Sequence, residues 1–518
     1  MFTLSARAYD FGLRDEAVKW FYRGQNRLIT ALYVLDLDKL TVSNNTAFGQ
    51  LVGQHVNPYA FCDLNKQHKA AQDAIDWAKN HPYQTVFLPQ LPSKYQDRKQ
   101  ALKEAEAKGY RGLKEVRRSG EKLQAGDKVY VSIMGKTLAL FHIGKEPMEK
   151  GMNILGAHID SPRLDLKQNP LYESDGLAML ETHYYGGIKK YQWVAMPLAL
   201  HGVVAKKDGT TVEIALGEDP SDPVIGISDL LPHLGKKQME KRGNEVVEGE
   251  DLNILVGSIP LSGEEKEPVK KQILQLLKEK YNIEETDFIS AELEAVPAGN
   301  ARNYGLDESM IMGYGQDDRV CAYPSYRAMF ELGKPQYTCV CLLVDKEEIG
   351  SVGATGMHSR FFENAVAEIM DAAGDYSELK VRRALQGSRM LSSDVSAAYD
   401  PNYPTVMEKK NSAFFGKGLT FNKFTGSRGK SGSNDANAEY IARIRKILDE
   451  NEAAFQTAEL GKVDEGGGGT IAYIAALYGM NVIDSGVAVL SMHAPWEVTS
   501  KADVYEAEKG YRAFLINA

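Results

Sequence analysis

The chain has 518 residues, of which 43% are hydrophobic and 25% are charged. At roughly 100–200 residues per domain this length predicts more than one domain, and the composition is that of a globular protein with large cores. The net charge of −9 and the pI of about 5.7 argue against a nucleic-acid-binding surface, which needs clustered positive charge. The sequence contains no apolar run of about 18 residues, so no membrane span is expected, and its N-terminal residues lack the apolar core of a signal peptide.

The cysteine pattern favours a reducing compartment. The chain has four cysteines and no CxxC pair, and they are Cys62, Cys321, Cys339 and Cys341. The last two alternate within an apolar run, which predicts that both side chains lie on the same face of one strand. We expect reduced, buried thiols in a cytoplasmic protein.

Apolar runs and helical stretches alternate along most of the chain. Residues 1–125 are predicted to be mainly helical, with helical features over 63–80 and 95–109, and residues 126–144 are predicted to form a hairpin. Short apolar runs, typical of buried strands, follow at 152–157, 338–344, 389–393 and 487–492. The helical stretches cover 319–332, 361–373, 436–455 and 470–478. This alternation predicts an α/β fold with a largely parallel mixed sheet flanked by helices.

Residues 171–297 have a different pattern and interrupt this alternation. They contain alternating, strand-like segments at 192–204 and 211–215, and an amphipathic helix over 268–281. We therefore predict a discontinuous domain of residues 1–170 and 298–518, with a β-rich domain of residues 171–297 inserted into it.

Acids and histidines follow several of the predicted strands. The segments that carry them are GAHIDSP at 156–162, GYGQDDR at 313–319, DKEEIG at 345–350, SSDVSAAYDP at 392–401 and SMHAPWE at 491–497. Each has an ordinary explanation by itself: a core histidine, acids that cap a helix, or a solvated strand end. Because ligands bind at the carboxyl ends of parallel strands, the segments together predict one site in one sheet. Nitrogen and oxygen ligands suit zinc, manganese or cobalt.

These segments resemble, in order and spacing, those of the aspartyl aminopeptidase and vacuolar aminopeptidase family of dinuclear metallopeptidases. The resemblance covers about residues 150–518 and implies a metal-dependent aminopeptidase that removes N-terminal residues from peptides. It implies two divalent cations per subunit, zinc first, with manganese or cobalt as alternatives. Asp317 would bridge both cations. The resemblance assigns the remaining ligands in pairs, His158 with Asp394 and Glu348 with His493.

The resemblance also assigns roles around the ligands. Glu347 would be the general base, and Asp160 would orient His158. The pair Asp317-Asp318 matches one that carries a non-proline cis peptide bond in related metallopeptidases. The sequence departs from mammalian-type members at residues 184–198 and at the second residue of this pair, which places it in a divergent, bacterial-type branch.

The resemblance further implies self-association. In this family the inserted domain mediates dimer contacts, and six dimers build a tetrahedral dodecamer. The segment LLPHL at 230–234 matches one whose histidine reaches the active site of a neighbouring subunit, so His233 is a candidate catalytic residue. An ordinary surface or packing histidine is the alternative.

Two other functions remain compatible with such a site. One is a different dinuclear metallohydrolase, a carboxypeptidase or an amidohydrolase, and the other is a non-catalytic assembly scaffold.

The glycine run at 466–469 lacks the Lys-Ser/Thr ending of a phosphate-binding loop, so it predicts a flexible loop near the substrate. In the polar loop 428–435 we expect Ser433, Asn434 or Asp435 to cap the next helix, and its basic residues are candidates to meet a substrate carboxylate.

Overall fold

The computed structural model describes residues 100–518. The prediction of a helix over 63–80, most of the N-terminal helical prediction and the prediction for Cys62 lie outside these residues. Helix α1 (Gln100–Ala107) belongs to a separate unit that ends at Gly109. Tyr110–Ala518 form the unit described below.

Strands and helices are numbered in chain order within the described residues. The strands are β1 (Arg111–Gly112), β2 (Lys128–Ile133), β3 (Thr137–His142), β4 (Met152–His158), β5 (Arg163–Ser174), β6 (Leu177–Tyr185), β7 (Pro197–Ala205), β8 (Thr211–Leu216), β9 (Ile225–Gly226), β10 (Ile254–Gly257), β11 (Ala291–Pro297), β12 (Arg302–Tyr304), β13 (Met310–Gly313), β14 (Thr338–Val344), β15 (Arg389–Ser392), β16 (Ser396–Ala397), β17 (Leu419–Asn422), β18 (Phe455–Ala458), β19 (Asn481–Gly486), β20 (Ala488–Leu490) and β21 (Glu497–Ser500). The α-helices after α1 are α2 (Leu113–Ser119), α3 (Lys236–Met239), α4 (Pro268–Tyr281), α5 (Gln316–Ala328), α6 (Phe361–Ala372), α7 (Glu378–Gln386), α8 (Ala438–Glu450), α9 (Ala472–Ala476) and α10 (Lys501–Asn517).

The central sheet is mixed, and its middle is parallel. Within the described residues it has nine strands in the order β1-β2-β3-β14-β4-β15-β19-β17-β18. Strands β14, β4, β15 and β19 run parallel to one another, whereas β3 and β17 are antiparallel to their neighbours in this group. The predicted α/β fold with a mixed sheet is thus confirmed, as is the predicted hairpin, which β2 and β3 form.

Helices cover both faces of this sheet. Side chains of a strand point alternately to its two faces, so the apolar strands present apolar surface on both faces that must be covered. On one face Ile154 and Leu342 pack in the cluster that contains Phe362 of α6. On the other face the Cys339 thiol contacts the carbonyl oxygen of Leu515 in α10 at 3.2 Å. Cys339 and Cys341 are buried, free thiols, as predicted.

A second sheet closes into a β-barrel. Its strand order is β11-β5-β6-β10-β9-β7-β8, and β7 also pairs with β11, which closes the ring. Its core is apolar and includes Trp193, Leu198 and Ile254, against which α4 packs through Val269. Strand β5 begins at Arg163, so it crosses the predicted domain boundary at residue 171.

A third sheet is built from short strands in the order β12-β13-β21-β20-β16. Its presence corrects one prediction, since the apolar run 487–492 was expected to join the main sheet. Instead β19 ends in the central sheet at Gly486, and β20 pairs with β16 and β21 in this third sheet. An apolar run shows that a strand is buried, but it does not show which sheet the strand joins.

No helix in residues 100–518 has both the length and the apolar character that a membrane crossing needs.

Candidate metal centre

Three of the predicted ligands lie at adjacent strand ends of the central sheet. His158 is the last residue of β4, Glu348 lies in the 3₁₀ turn that follows β14, and Asp394 comes after β15. Strand β4 pairs in parallel with both β14 and β15, so these three carboxyl ends meet at one edge of the sheet.

The other two predicted ligands come from the third sheet, which corrects the prediction of a single ligand-bearing sheet. Asp317 follows β13 at the start of α5, and His493 lies in the turn between β20 and β21. Because β21 pairs with both β13 and β20, the two residues emerge from neighbouring strands. The Asp317-Asp318 peptide bond is cis, as the resemblance implied.

The structure brings all five predicted ligands together. Their ligand atoms form two groups, within each of which all atoms lie within 4.8 Å of one another: His158, Asp317 and Asp394 in one, and Asp317, Glu348 and His493 in the other. Asp317 belongs to both groups through different oxygens. Its Oδ1 lies 3.0 Å from His158 Nε2, and its Oδ2 lies 3.3 Å from His493 Nε2. Glu348 Oε2 lies 3.5 Å from the same His493 nitrogen.

Burial and the charges of neighbouring groups shift the pKa values of this cluster. Burial, together with the charge of the neighbouring Asp317 carboxylate, raises the pKa of Glu348 to about 8. Burial also raises the pKa of Asp394, with the charge of Asp318 adding to the effect. Burial alone would lower the pKa of His158, but hydrogen bonds to Asp160 and Asp317 raise it well above its usual value.

The cluster fits a bound cation on two counts. Its donor set is two imidazoles and three carboxylates, without a thiolate, which suits a divalent metal such as zinc. Among the described residues, Glu348 Oε1 is a buried oxygen that accepts no hydrogen bond. Buried charges and polar atoms without partners are costly unless they are paired or coordinate a metal.

Asp160 connects His158 to the glutamate pair. Its Oδ1 accepts the Glu347 N–H at 3.1 Å, and its Oδ2 accepts the Glu348 N–H at 3.2 Å. Its backbone oxygen lies 3.0 Å from His158 Nδ1, while its carboxylate lies 3.4 Å away. With Nδ1 donating to this carbonyl, Nε2 of His158 is left to face Asp317.

The two predicted catalytic groups lie in different environments. Glu347 begins the 3₁₀ turn next to Glu348 and is half-buried, and burial raises its pKa. His158 and Asp317 are among the charges that act on that pKa, so Glu347 adjoins the cluster. His233 is exposed, lies in the barrel segment between β9 and α3, and belongs to neither ligand group.

Glu497 is a buried acid of this site for which the sequence analysis predicted no role. It is 1% exposed, and its Oε1 accepts the His493 N–H at 2.7 Å while its Oε2 accepts the Asp317 N–H at 3.0 Å. The signal for it was present in SMHAPWE, but an acid after Pro-Trp is indistinguishable in sequence from a solvated one.

Two further polar residues near the site also escaped prediction. The Tyr185 hydroxyl, at the end of barrel strand β6, donates to Asp160 Oδ2 at 2.8 Å. Asp484 in β19 accepts a hydrogen bond from Thr470 at 2.6 Å, and burial raises its pKa to about 7. Both depend on contacts between different elements of the fold, which local sequence patterns do not show.

The polar loop 428–435 differs from its prediction. The cap of α8 is Asn437, whose side chain accepts the Tyr440 N–H at 2.8 Å, and not a residue of 433–435. Lys430 in this loop pairs with Asp435 at 2.9 Å and lies over the Phe424 ring. The capping prediction was wrong because Ser433 instead accepts a hydrogen bond from the Thr425 N–H, which precedes the loop.

Comparisons with known proteins identify the family to which this chain belongs. The profile of the family described as Aminopeptidase I zinc metalloprotease (M18) matches residues 87–515. A probable M18 family aminopeptidase 1 of Clostridium acetobutylicum is 62% identical over 463 residues, which cover 88% of this chain and 99% of that protein. The crystal structure of aminopeptidase I from Clostridium acetobutylicum matches with a TM-score of 0.73 and 63% identity, over 78% of this chain and 91% of that one.

A more distant solved structure shares the fold. The S. cerevisiae mApe1 dodecamer matches with a TM-score of 0.65 and 21% identity, over 80% of this chain and 92% of that one. The family match and the close relative confirm the predicted activity and do not favour a carboxypeptidase, an amidohydrolase or a scaffold. The chain therefore belongs to the M18 family of aminopeptidase I zinc metalloproteases and is a metal-dependent aminopeptidase.

Proposed function

We propose that this aminopeptidase works with two divalent cations per subunit. One cation is held by His158, Asp317 and Asp394, and the other by Asp317, Glu348 and His493. The observation that carries the proposal is the Asp317 carboxylate, whose two oxygens face two different histidines at 3.0 and 3.3 Å. Zinc is the cation we favour, with manganese and cobalt as alternatives, because the ligands are nitrogen and oxygen atoms.

The mechanism divides the work between the cations and the protein. When bound, two such cations supply polarisation of the scissile carbonyl and a lowered pKa of the attacking water. Glu347 takes the proton of that water and returns it to the leaving amine. Burial raises its pKa above the usual value of a glutamate, which favours a group that must both accept and release a proton. Asp160 holds His158 and the Glu347 backbone in position. The free amine of the peptide lies against the acids of the site.

Replacing Glu347 by Gln tests the assignment of the base. The amide has nearly the same size but cannot accept the proton, so we expect kcat to fall by about 10²–10⁴-fold. Metal content, measured by elemental analysis of the chelator-treated and reloaded protein, should equal that of the wild type. Near-normal kcat in Glu347→Gln would refute the role.

A matched pair of substrates tests the aminopeptidase chemistry at this site. Aminoacyl reporters with a free amine should be cleaved, and the same reporters with an acetylated amine should not. Equal rates on both would contradict a site that recognises the free N-terminus. Carrying out the screen with zinc, manganese and cobalt also identifies the metal that supports the highest rate.

We also propose that the subunits assemble through an inserted domain of residues 171–297 into a dodecamer built from dimers. Support comes from the S. cerevisiae mApe1 dodecamer, which shares the fold. Further support comes from exposed apolar side chains around His233, namely Leu230, Leu231, Leu234 and Met239. In this proposal His233 enters the active site of the adjoining subunit and stabilises the tetrahedral intermediate.

The proposed location is cytoplasmic. Its support is the pair of buried, free thiols Cys339 and Cys341, which is typical of proteins from reducing compartments.

A further inference from the structure

Glu497 joins the backbones of two candidate ligands that come from distant parts of the chain. Asp317 and His493 lie far apart in the sequence. Their N–H groups nevertheless donate to the same carboxylate, at 3.0 and 2.7 Å. Each oxygen of Glu497 therefore fixes one segment. Strand pairing supports this arrangement, because Glu497 begins β21 opposite Gly313, the last residue of β13.

The turn that contains His493 needs to be held by hydrogen bonds such as the one to Glu497. Ser491 and His493 both have positive φ angles, of 59° and 63°, which non-glycine residues adopt at a cost. A turn in this conformation is held by its surroundings, and the N–H of His493 donates to Glu497 at 2.7 Å, a distance typical of a strong hydrogen bond to a carboxylate.

The hydrogen bonds accepted by Glu497 act mainly on one of the two ligand groups. The group of Asp317, Glu348 and His493 contains both residues whose N–H groups Glu497 holds. The group of His158, Asp317 and Asp394 contains only one of them. His158 is held separately, because its N–H donates to Asp318 Oδ2 at 3.3 Å and its ring to the Asp160 carbonyl.

We infer that Glu497 is a positioning residue that sets the affinity of the cation site formed by Asp317, Glu348 and His493. It does so through the two backbone hydrogen bonds that its carboxyl group accepts, without being a ligand. This inference rests on the two-cation proposal above. Residues that hold metal ligands in place typically contribute 10–100-fold to metal affinity.

The test measures metal binding rather than turnover. The full-length, assembled protein is stripped with a chelator and titrated with Zn²⁺ by calorimetry, for the wild type and for Glu497→Gln. The glutamine keeps the size of the side chain but loses the charge and presents an N–H₂ group to one backbone N–H. We expect one of two binding steps to weaken by about 10–100-fold, and the other to change by less than about threefold.

A matched control separates positioning from general stability. Asp503 is another fully buried carboxylate that accepts two backbone N–H groups, those of Gly416 and Gly418, at 2.9 and 2.7 Å. Neither glycine belongs to a segment that supplies a ligand. Asp503→Asn should lower the thermal midpoint of the stripped protein and leave both Zn²⁺ affinities as in the wild type.

The outcomes distinguish this inference from the proposal it rests on. Two Zn²⁺ steps in the wild type and unchanged affinities in Glu497→Gln would overturn the inference and leave the two-cation proposal standing. A single Zn²⁺ step in the wild type would overturn the two-cation proposal itself. Equal weakening of both steps in Glu497→Gln and in Asp503→Asn would show a structural effect only, and the inference would fail.

Discussion

At the scale of single residues, the site depends on carboxylates that accept backbone N–H groups. Asp160 accepts those of Glu347 and Glu348, and Glu497 accepts those of Asp317 and His493. Such hydrogen bonds favour the ionised carboxylate. Burial would raise the pKa of Asp160, but hydrogen bonds outweigh burial and lower it. Burial and the Asp317 charge raise the pKa of Glu497 to about 7 in spite of its hydrogen bonds. Each side chain nevertheless controls the geometry of two neighbouring residues.

His142 gives a residue-scale prediction for the pH dependence of stability. It is buried on β3, and within the described residues its Nδ1 has no hydrogen-bond partner. Burial, helped by the charge of Lys128, lowers its pKa to about 4 from 6.5. Above pH 6.5 neither state binds the proton. As the pH falls towards 4 the unfolded chain takes up a proton that the folded chain does not, so the free energy of unfolding falls by up to about 3 kcal/mol.

Thermal unfolding of the wild type and His142→Leu between pH 7 and pH 4.5 measures this contribution. The leucine variant cannot take up the proton, so its thermal midpoint should fall less steeply below pH 6.5. His183→Leu, at an exposed position, is the control and should follow the wild type. Parallel curves for the wild type and His142→Leu would contradict the prediction.

At the scale of elements, local patterns predicted what local physics determines. The runs 152–157 and 338–344 are strands within one residue of their predicted ends, because short, continuous apolar runs are typical of strands buried on both faces of a sheet. The amphipathic helix over 268–281 was predicted with its observed bounds. What could not be predicted depends on pairing: the closure of β7 onto β11, and the change of sheet between β19 and β20.

The site follows the same division. The five ligands could be proposed because each interrupts or ends an apolar run or a glycine-rich turn, and the resemblance assigned their roles. Glu497 and Tyr185 could not, since Asp317 and Asp160, to which they bond, lie in other segments of the chain and neither residue is marked by its neighbours. Asn437, and not the preceding residues, caps α8, because the loop before it uses Ser433 for its own hydrogen bonds.

Gly486, at the change of sheet, gives an element-scale prediction. A Cβ atom at this position would lie 1.9 Å from the Asp394 carbonyl oxygen, so β19 can pass this ligand only with a glycine. Gly486→Ala must displace Asp394 or separate β15 from β19. We expect kcat/KM to fall at least about tenfold, with a loss of stability of about 1–3 kcal/mol from overpacking.

Steady-state kinetics and Zn²⁺ titration of Gly486→Ala check this expectation. Gly243→Ala is the control, because a Cβ atom there has no heavy atom within 4 Å, and it should behave as the wild type. Unchanged kinetics and Zn²⁺ binding in Gly486→Ala would show that Asp394 does not depend on this close approach.

At the scale of the whole molecule, the site draws on three sheets. The central sheet supplies His158, Glu348 and Asp394, the third sheet supplies Asp317 and His493, and the barrel supplies the Tyr185 hydroxyl to Asp160. A displacement of the barrel would therefore reach His158 through Asp160. This connection gives a physical route by which assembly through residues 171–297 can affect the active site of the same chain.

The proposed dodecamer leads to a prediction of complementation between subunits. If His233 acts in the adjoining subunit, a Glu347→Gln chain lacks the base but supplies a normal histidine, and a His233→Ala chain has the opposite defect. Each variant alone should lose activity, the histidine variant by about 10²-fold if it removes a donor to the tetrahedral intermediate. Co-expressed chains should recover activity, because half of random dimers are mixed and one of their two sites is complete, which gives roughly a quarter of the wild-type rate.

Coexpression with differently tagged chains, tandem purification and light scattering establish that the mixed assemblies form and give their mass. The control pairs Glu347→Gln with a chain that carries both substitutions, since no complete site can arise in that mixture. Activity of the first mixture no higher than the mean of its two pure variants would contradict the shared site. The stabilisation of the intermediate would then have to come from side chains of a single subunit, and assembly would affect the site only through the barrel and Asp160.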